Sequence, residues 1–335
     1  MEKQYRIGIL GATGAVGREM LKVLEEYDIP VSEVRLLASA RSEGTRLPFK
    51  GGELTVHTAC PDSFGGLDFV LGAVGKGLAK EFAPAIKSSG AVFIDNSSSF
   101  RMDPEVPLIV PEINPDDIKL HKGIISNPNC STIITLMAVA GIARLSPIES
   151  MVACTYQAVS GAGEAGIVAL ESEINKVVSG EEITPSAFPA QIAMNVIPFI
   201  GSEKENGYTD EEMKMQNEGR KILHLPDMTC TCTCVRVPVM RSHSISVTVR
   251  TKDILDLDDV RKAIASFPGV VLADDLSGRD YPTPLDTSGQ DLVYVGRIRR
   301  DLTCPNGITL WCCGDQIRKG AAANAVQILK KIIGT

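Results

Sequence analysis

Apolar and polar positions follow two different rhythms along this chain. In the first part, short apolar runs alternate with stretches of helical period. Residues 5–10 (YRIGIL), 34–39 (VRLLAS), 68–74 (DFVLGAV), 91–95 (AVFID) and 123–126 (GIIS) read as strands. Helices are predicted over 16–27, 79–88 and 131–144. Strands that alternate with helices predict a parallel sheet with crossover helices. Further on, strands rich in Thr and Val are predicted at 151–159, 229–238 and 244–249, with another at 292–299. Helices are predicted at 166–178, 209–222 and 258–266, and from about 318 to 333, with Thr209 placed to cap the second of them. A polar, Pro-containing stretch fills 179–206. This part predicts a mixed α+β domain with a largely antiparallel sheet. No internal repeat or low-complexity segment interrupts either part.

Composition narrows the function classes. A chain of 335 residues suggests about two domains. Hydrophobic residues at 44% and charged residues at 22% are ordinary globular usage. With 34 basic and 41 acidic residues the net charge is −7, which argues against broad nucleic-acid binding and leaves room only for a local basic pocket. No apolar run approaches the roughly 20 residues that span a bilayer. The first residues lack the pattern of a signal peptide, so no membrane partner and a cytoplasmic location are expected. Nine irregularly spaced cysteines are expected to be reduced thiols.

Gly11-Ala12-Thr13-Gly14-Ala15-Val16-Gly17 lies between the first predicted strand and helix, with the spacing G-x-x-G-x-x-G. Such a turn brings backbone N–H groups at a helix N-terminus up to a pyrophosphate with no Cβ in the way. The alternative is a tight turn without a ligand. Sites selective for NAD place an acid at the end of the second strand, for the ribose 2′-hydroxyl. Leu37-Ala38-Ser39-Ala40-Arg41-Ser42 has none, and Arg41 between Ser39 and Ser42 suits a 2′-phosphate. The expected cofactor is therefore NADP(H), held by Gly11, Thr13, Gly14, Ala15, Val16, Ser39, Arg41 and Ser42; a solvated Arg41 is the alternative. Gly75 joins them, because Gly72-Ala73-Val74-Gly75 ends a parallel strand where open sheets bind ligands.

Cys130 follows Ser126-Asn127-Pro128-Asn129 and opens a predicted helix, where the dipole and free N–H groups favour a thiolate. The alternative is a buried cysteine acting as a small hydrophobe. Cys230, Cys232 and Cys234 share one face of a predicted strand and lack paired-knuckle spacing, so no metal site is expected there or at Cys312-Cys313. The acids from Asp256 to Asp259 read as a helix cap and a solvated face.

Cys130 in an N-C-S context after G-x-T-G-x-x-G resembles the aspartate-semialdehyde dehydrogenase family. The resemblance continues in order along nearly the whole chain. It runs through Asp95-Asn96-Ser97-Ser98-Ser99-Phe100-Arg101, Tyr156-Gln157-Ala158-Val159-Ser160-Gly161-Ala162-Gly163 and Glu211-Glu212-Met213-Lys214. It ends with Arg236-Val237-Pro238-Val239, Ser242-His243-Ser244 and Lys319-Gly320-Ala321-Ala322 before Asn324. It implies a Rossmann-like NADP-binding domain over 1–128 plus 317–335, and a mixed-sheet catalytic and dimerisation domain over 129–316. It implies NADPH-dependent reduction of L-aspartyl-4-phosphate to L-aspartate 4-semialdehyde with release of inorganic phosphate, a step towards lysine, threonine and methionine. It also implies a homodimer or homotetramer.

The resemblance implies roles residue by residue. Cys130 attacks the acyl phosphate and carries a thioester. His243, one of four histidines, takes and returns the proton; its ordinary pKa near ~6.5 suits that work. By local pattern alone His243 is a polar strand residue. Arg236 forks onto the substrate carboxylate, or is a surface arginine. Glu211 faces the substrate amine, while Lys214 and Arg101 face the phosphate; on spacing alone Glu211 and Lys214 are an ordinary helix ion pair. Gln157 orients the thioester, or faces solvent. Asn129 joins the substrate residues. Ser160, Gly161 and Gln316 lie near the nicotinamide. The nearest alternatives are another acyl-phosphate reductase, such as N-acetyl-glutamyl-phosphate reductase, which needs no amine-binding acid, and a catalytically silent NADP-binding regulator.

Overall fold

The computed structural model describes residues 3–334. Residues up to Asn129 and those from Ala321 onward form one compact unit; Cys130–Gly320 form the other.

The first unit is built along the chain from β1 (Tyr5–Leu10), α1 (Ala15–Glu26), β2 (Val31–Ala38), β3 (Arg46–Phe49), β4 (Gly52–Thr58), β5 (Phe69–Gly72), α2 (Lys76–Ser88), β6 (Val92–Asp95) and β7 (Ile124–Ser126). Its seven strands lie in the order β3-β4-β2-β1-β5-β6-β7, parallel throughout except for the β3–β4 hairpin. The central strands are continuous apolar runs because helices cover both faces. α1 turns Met20, Leu21, Val23 and Leu24 inward, and α2 buries Ala79, Phe82, Ala83 and Ile86. The hairpin was not expected from the sequence. It sits at the sheet edge and buries only Leu47 and Val56, too few apolar positions to mark two strands.

The second unit follows with α3 (Cys130–Leu145), β8 (Ile148–Gln157), α4 (Glu164–Ser179), α5 (Asp210–Leu223), β9 (Thr229–Arg236), β10 (His243–Thr251), α6 (Leu257–Ala265), β11 (Val270–Leu272), α7 (Pro284–Thr287), β12 (Val293–Arg300) and β13 (Gly307–Gly314). The sheet order is β11-β12-β13-β10-β8-β9. The inner pairings are antiparallel, and the outermost pairs, β11–β12 and β8–β9, are parallel. The mixed sheet accords with the expected fold class. β13 is missing from the sequence expectation because Gly307–Gly314 is apolar on both faces and shows no alternation. β11 and α7 are too short to carry a period. α3 is buried on every side from Ser131 to Ile142, which makes it the central helix of this unit. The chain ends in α8 (Ala323–Ile333), which a π-helical turn over Arg318–Ala322 precedes.

Candidate active site

Strand register assembles the chemistry of the second unit. The parallel pairing of β8 with β9 sets Gln157 opposite Arg236. The antiparallel pairing of β10 with β8 sets Ser244 opposite Tyr156, so His243 falls at the same sheet end. Cys130 is the first residue of α3, and its Sγ lies 3.4 Å from His243 Nε2. Residues 113 apart in sequence thus form a nucleophile–base pair at the positive end of a buried helix.

His243 has no solvent exposure. Its Nδ1 accepts the Ala158 N–H at 3.1 Å, which leaves the hydrogen of the neutral ring on Nε2. Burial, and then the neighbouring Arg236 guanidinium, hold its pKa well below the ordinary value. The structure therefore corrects the expectation of an unperturbed imidazole.

Arg236 is buried, not a surface arginine. Its Nη1 donates to Ala158 O at 2.7 Å, and its guanidinium lies over Phe188 at 5.6 Å from the ring centre. Backbone bonds in both directions tie it to Ile197 at 2.9 and 2.8 Å. Gln157 is buried too, and its Nε2 donates to Glu211 Oε1 at 3.3 Å. The other carboxylate oxygen of Glu211 accepts from Lys214 Nζ at 2.7 Å. The helix ion pair is thus present, yet Glu211 also reaches the sheet end. A capping box between Thr209 and Glu212 fixes the start of α5, and Glu212 Oε1 also accepts the Cys234 N–H at 3.0 Å.

Ser160 donates to Met240 O and accepts from Gln316 Nε2. Gln316 Oε1 accepts the Ser242 N–H at 2.8 Å. Together they brace the turn that presents His243. Asp315, absent from the sequence-based set, is fully buried and accepts from Arg241 Nε at 2.5 Å and from the Gly289, Ile317 and Arg318 N–H groups. Its only sequence signal is adjacency to Gln316. Phe188 gave none, since it lies in the unpatterned 179–206 stretch. A side chain at Gly161 would press on both groups: a Cβ would lie 2.9 Å from Arg236 Nη1 and 3.1 Å from His243 Cε1, so each would have to shift. Gly161→Ala is expected to lower kcat/KM by about tenfold to a hundredfold through displacement of both groups. Steady-state kinetics on a variant with unchanged far-UV dichroism checks this.

Cys232 and Cys234 sulfurs are 3.8 Å apart, and burial pushes the Cys230 thiol up to about 12.

The first unit holds the glycine turn. Gly11 and Ala12 N–H groups both donate to Leu37 O, at 2.7 and 3.1 Å, which closes the turn against β2. Gly11 has φ +89°, and a Cβ there would lie 2.4 Å from Ala73 O. Ala15 begins α1, with half-buried Val16 after it. Gly14 and Gly75 precede α1 and α2 and are exposed; a Cβ at Gly75 would meet open space, and one at Gly14 would only touch Gly11 O at 3.5 Å. Thr13 Oγ1 lies 3.2 Å from Ser42 Oγ, with exposed Ser39 and Arg41 in the same turn. Two helix N-termini with glycines in front, and hydroxyls and a guanidinium at the end of β2, fit a dinucleotide. In this unit Arg101 is buried and donates to Asn127 O at 3.0 Å and Asn96 O at 2.7 Å, and Asn129 is buried as well.

Comparison with known proteins gives the family. The semialdehyde dehydrogenase NAD-binding domain matches residues 6–121, and the semialdehyde dehydrogenase dimerisation domain matches residues 139–319. The aspartate-semialdehyde dehydrogenase of Bacillus subtilis (strain 168) is 44% identical over 99% of this chain and 98% of its own length. That of Synechocystis sp. (strain ATCC 27184 / PCC 6803 / Kazusa) is 45% identical with the same coverage. The crystal structure of Vibrio cholerae aspartate semialdehyde dehydrogenase II complexed with ASA superposes with a TM-score of 0.96 at 41% identity, covering 99% of both chains. Full-length relatives at this identity, with both domain models matched in chain order, place this chain in the aspartate-semialdehyde dehydrogenase family.

Proposed function

We propose that the chain is an oxidoreductase that reduces L-aspartyl-4-phosphate to L-aspartate 4-semialdehyde and inorganic phosphate, reversibly and with NADPH, through a thioester on Cys130. The observation that carries this is the Cys130–His243 contact of 3.4 Å at the head of α3, with Arg236 and Gln157 at the same sheet end. The name and the ASA ligand of the Vibrio cholerae relative support the substrate.

Cys130 Sγ attacks the acyl carbon, the S–C bond forms, and the C–O bond to phosphate breaks. The chemistry supplied by the bound cofactor is hydride transfer to the thioester carbon, which leaves a thiohemiacetal on Cys130. His243, neutral at neutral pH, takes the thiol proton at Nε2 and later returns it. Acceptance at Nε2 requires hydrogen on Nδ1, which gives up the Ala158 bond. Burial and Arg236 oppose the imidazolium as well. The proton is therefore held weakly and is readily given back when the thiohemiacetal collapses to aldehyde and sulfur.

Arg236 is assigned to the substrate carboxylate, a task suited to a rigid, pre-oriented guanidinium. Glu211 is assigned to the substrate amine and Gln157 to the thioester carbonyl. Lys214, Arg101 and Asn129 are assigned to the phosphate end and substrate. The Glu211 carboxylate favours an amine-bearing substrate over an N-acetylated one. Gly11, Thr13, Gly14, Ala15, Val16 and Gly75 would cradle the cofactor phosphates. Ser39, Arg41 and Ser42 would take a 2′-phosphate, and Ser160, Gly161 and Gln316 would border the nicotinamide. Val152 and Tyr156 leave an apolar strip of β8 exposed in the single chain, which supports a homodimer or homotetramer. A cytoplasmic location fits the free thiols. Among the described residues, no helix is long and apolar enough to cross a membrane.

The testing experiment is phosphate-dependent reduction of NADP+ by aspartate semialdehyde, followed at 340 nm. Turnover that requires both phosphate and the aldehyde is expected. A folded, dinucleotide-binding enzyme that turns over only other aldehydes would overturn the substrate.

A further inference from the structure

The turn after β2 contains an acid just beyond the residues assigned to the 2′-phosphate. Glu43 follows Ser42 directly. A site for an unphosphorylated ribose uses a carboxylate that accepts from the 2′-hydroxyl, placed at the strand end itself; Glu43 lies five residues beyond Ala38, in the turn that follows β2. A carboxylate repels a phosphate dianion at short range. Neighbouring side chains here take opposite directions. Ser42 Oγ reaches back to Thr13 in the glycine turn at 3.2 Å. Glu43 is clamped on the end of β4: Oε2 accepts from both the Thr58 N–H and the Thr58 hydroxyl, the latter at 2.6 Å, and Oε1 lies 3.3 Å from His57 Nδ1. The clamp has a structural origin. Thr58 pairs with Ala38 at the end of β2, and the turn is tied to β4 by the Gly44 N–H to Val56 O and the Val56 N–H to Thr45 O. The Thr58 donors hold the Glu43 carboxyl below its usual range, so the group stays charged while it is clamped.

We propose that Thr58, supported by His57, is a positioning residue for cofactor selectivity: it pins the Glu43 carboxylate to β4, so that the Ser39–Ser42 turn accepts a 2′-phosphate. This rests on the NADP reading above. When the clamp is loosened, Glu43 can swing towards the ribose, where it welcomes a 2′-hydroxyl and opposes a phosphate.

The test is calorimetric titration of the full-length enzyme with NADP+ and with NAD+. The quantity read is the ratio of the two Kd values. Wild type is expected to favour NADP+. Thr58→Val removes the hydroxyl donor and leaves the Thr58 N–H bond; combined with His57→Leu it leaves that backbone bond alone to hold the carboxylate, and the pair is expected to reduce the preference about fivefold or more, because a loosely held charge then stands near the phosphate. Thr58→Ser keeps the hydroxyl and is expected to retain the wild-type ratio. Glu43→Gln added to the Thr58→Val and His57→Leu pair is expected to restore it, which a general loosening of the turn would not do. Thr58 and His57 are exposed, so these variants should fold, and His57→Leu alone, which loosens only Oε1, supplies an independent smaller drop. An unchanged ratio in the pair, or a drop that persists without the Glu43 charge, would overturn the proposal alone. A wild type that binds NAD+ as tightly as NADP+ would overturn the cofactor reading and this proposal with it.

Discussion

Cys130→Ala is expected to bind dinucleotide normally and to lose phosphate-dependent turnover by on the order of 10⁴-fold or more, as nucleophile deletions do. The thiols of Cys312 and Cys313, on β13 beside β10, are poor replacements. Cys312 is held protonated by burial, and Cys313 is pushed up to about 11. Neither could take over at neutral pH. Alanine at the first position of α3 keeps the helix, so melting temperature should move little. Aspartate semialdehyde and an oxidised dinucleotide, mixed without phosphate, should load wild type with an acyl mass adduct on the peptide that contains Cys130 and leave the variant unmodified. A variant that still accumulates the adduct, or keeps a tenth of the turnover, would remove Cys130 from the reaction.

That outcome would also test how far single residues can be read from sequence. The glycine turn, β1 and α1 were legible because each makes a local signal: an apolar run, a fixed glycine spacing and a helical period in immediate succession. Cys130 was legible for the same reason, since a helix start is a local event. His243 was not. Locally it is one polar residue at the head of an alternating strand, and what distinguishes it is a contact with a residue 113 positions away. Family resemblance supplied that pairing; the β8–β10 register accounts for the His243 end of it, and the start of α3 for the Cys130 end. Arg236 follows the same rule, since its burial depends on Gln157 opposite it and Phe188 beneath its guanidinium. Phe188 and Asp315 carried no signal of their own. The β3–β4 hairpin shows the converse limit: an exposed edge has little to bury, so its sequence looks like a loop even where it clamps Glu43.

His243→Ala is expected to lower kcat by about 10²- to 10⁴-fold, the usual worth of a positioned proton-transfer group. The KM for aspartate semialdehyde should change much less, because the carboxylate and amine assignments belong to Arg236 and Glu211. The pH profile carries the sharper test. The working base is the neutral ring, and burial together with Arg236 places its folded pKa well below 6.5. Activity should therefore hold as pH falls through 6.5 and decline only lower, as the ring protonates. Stability should change in a related window. Unfolded His243 regains an ordinary pKa near ~6.5, so between that value and the lower folded one the unfolded state binds more protons. Folding is thus weakened progressively as pH drops below about 6.5, until the folded ring protonates too. His243→Gln fills similar space without titrating, so it should lose both the acidic limb of kcat/KM and this part of the acid destabilisation. A wild-type limb at or above 6.5 that vanishes in His243→Gln would show that the ring is less buried in the working enzyme. An unchanged limb in that variant would assign the titration to another group.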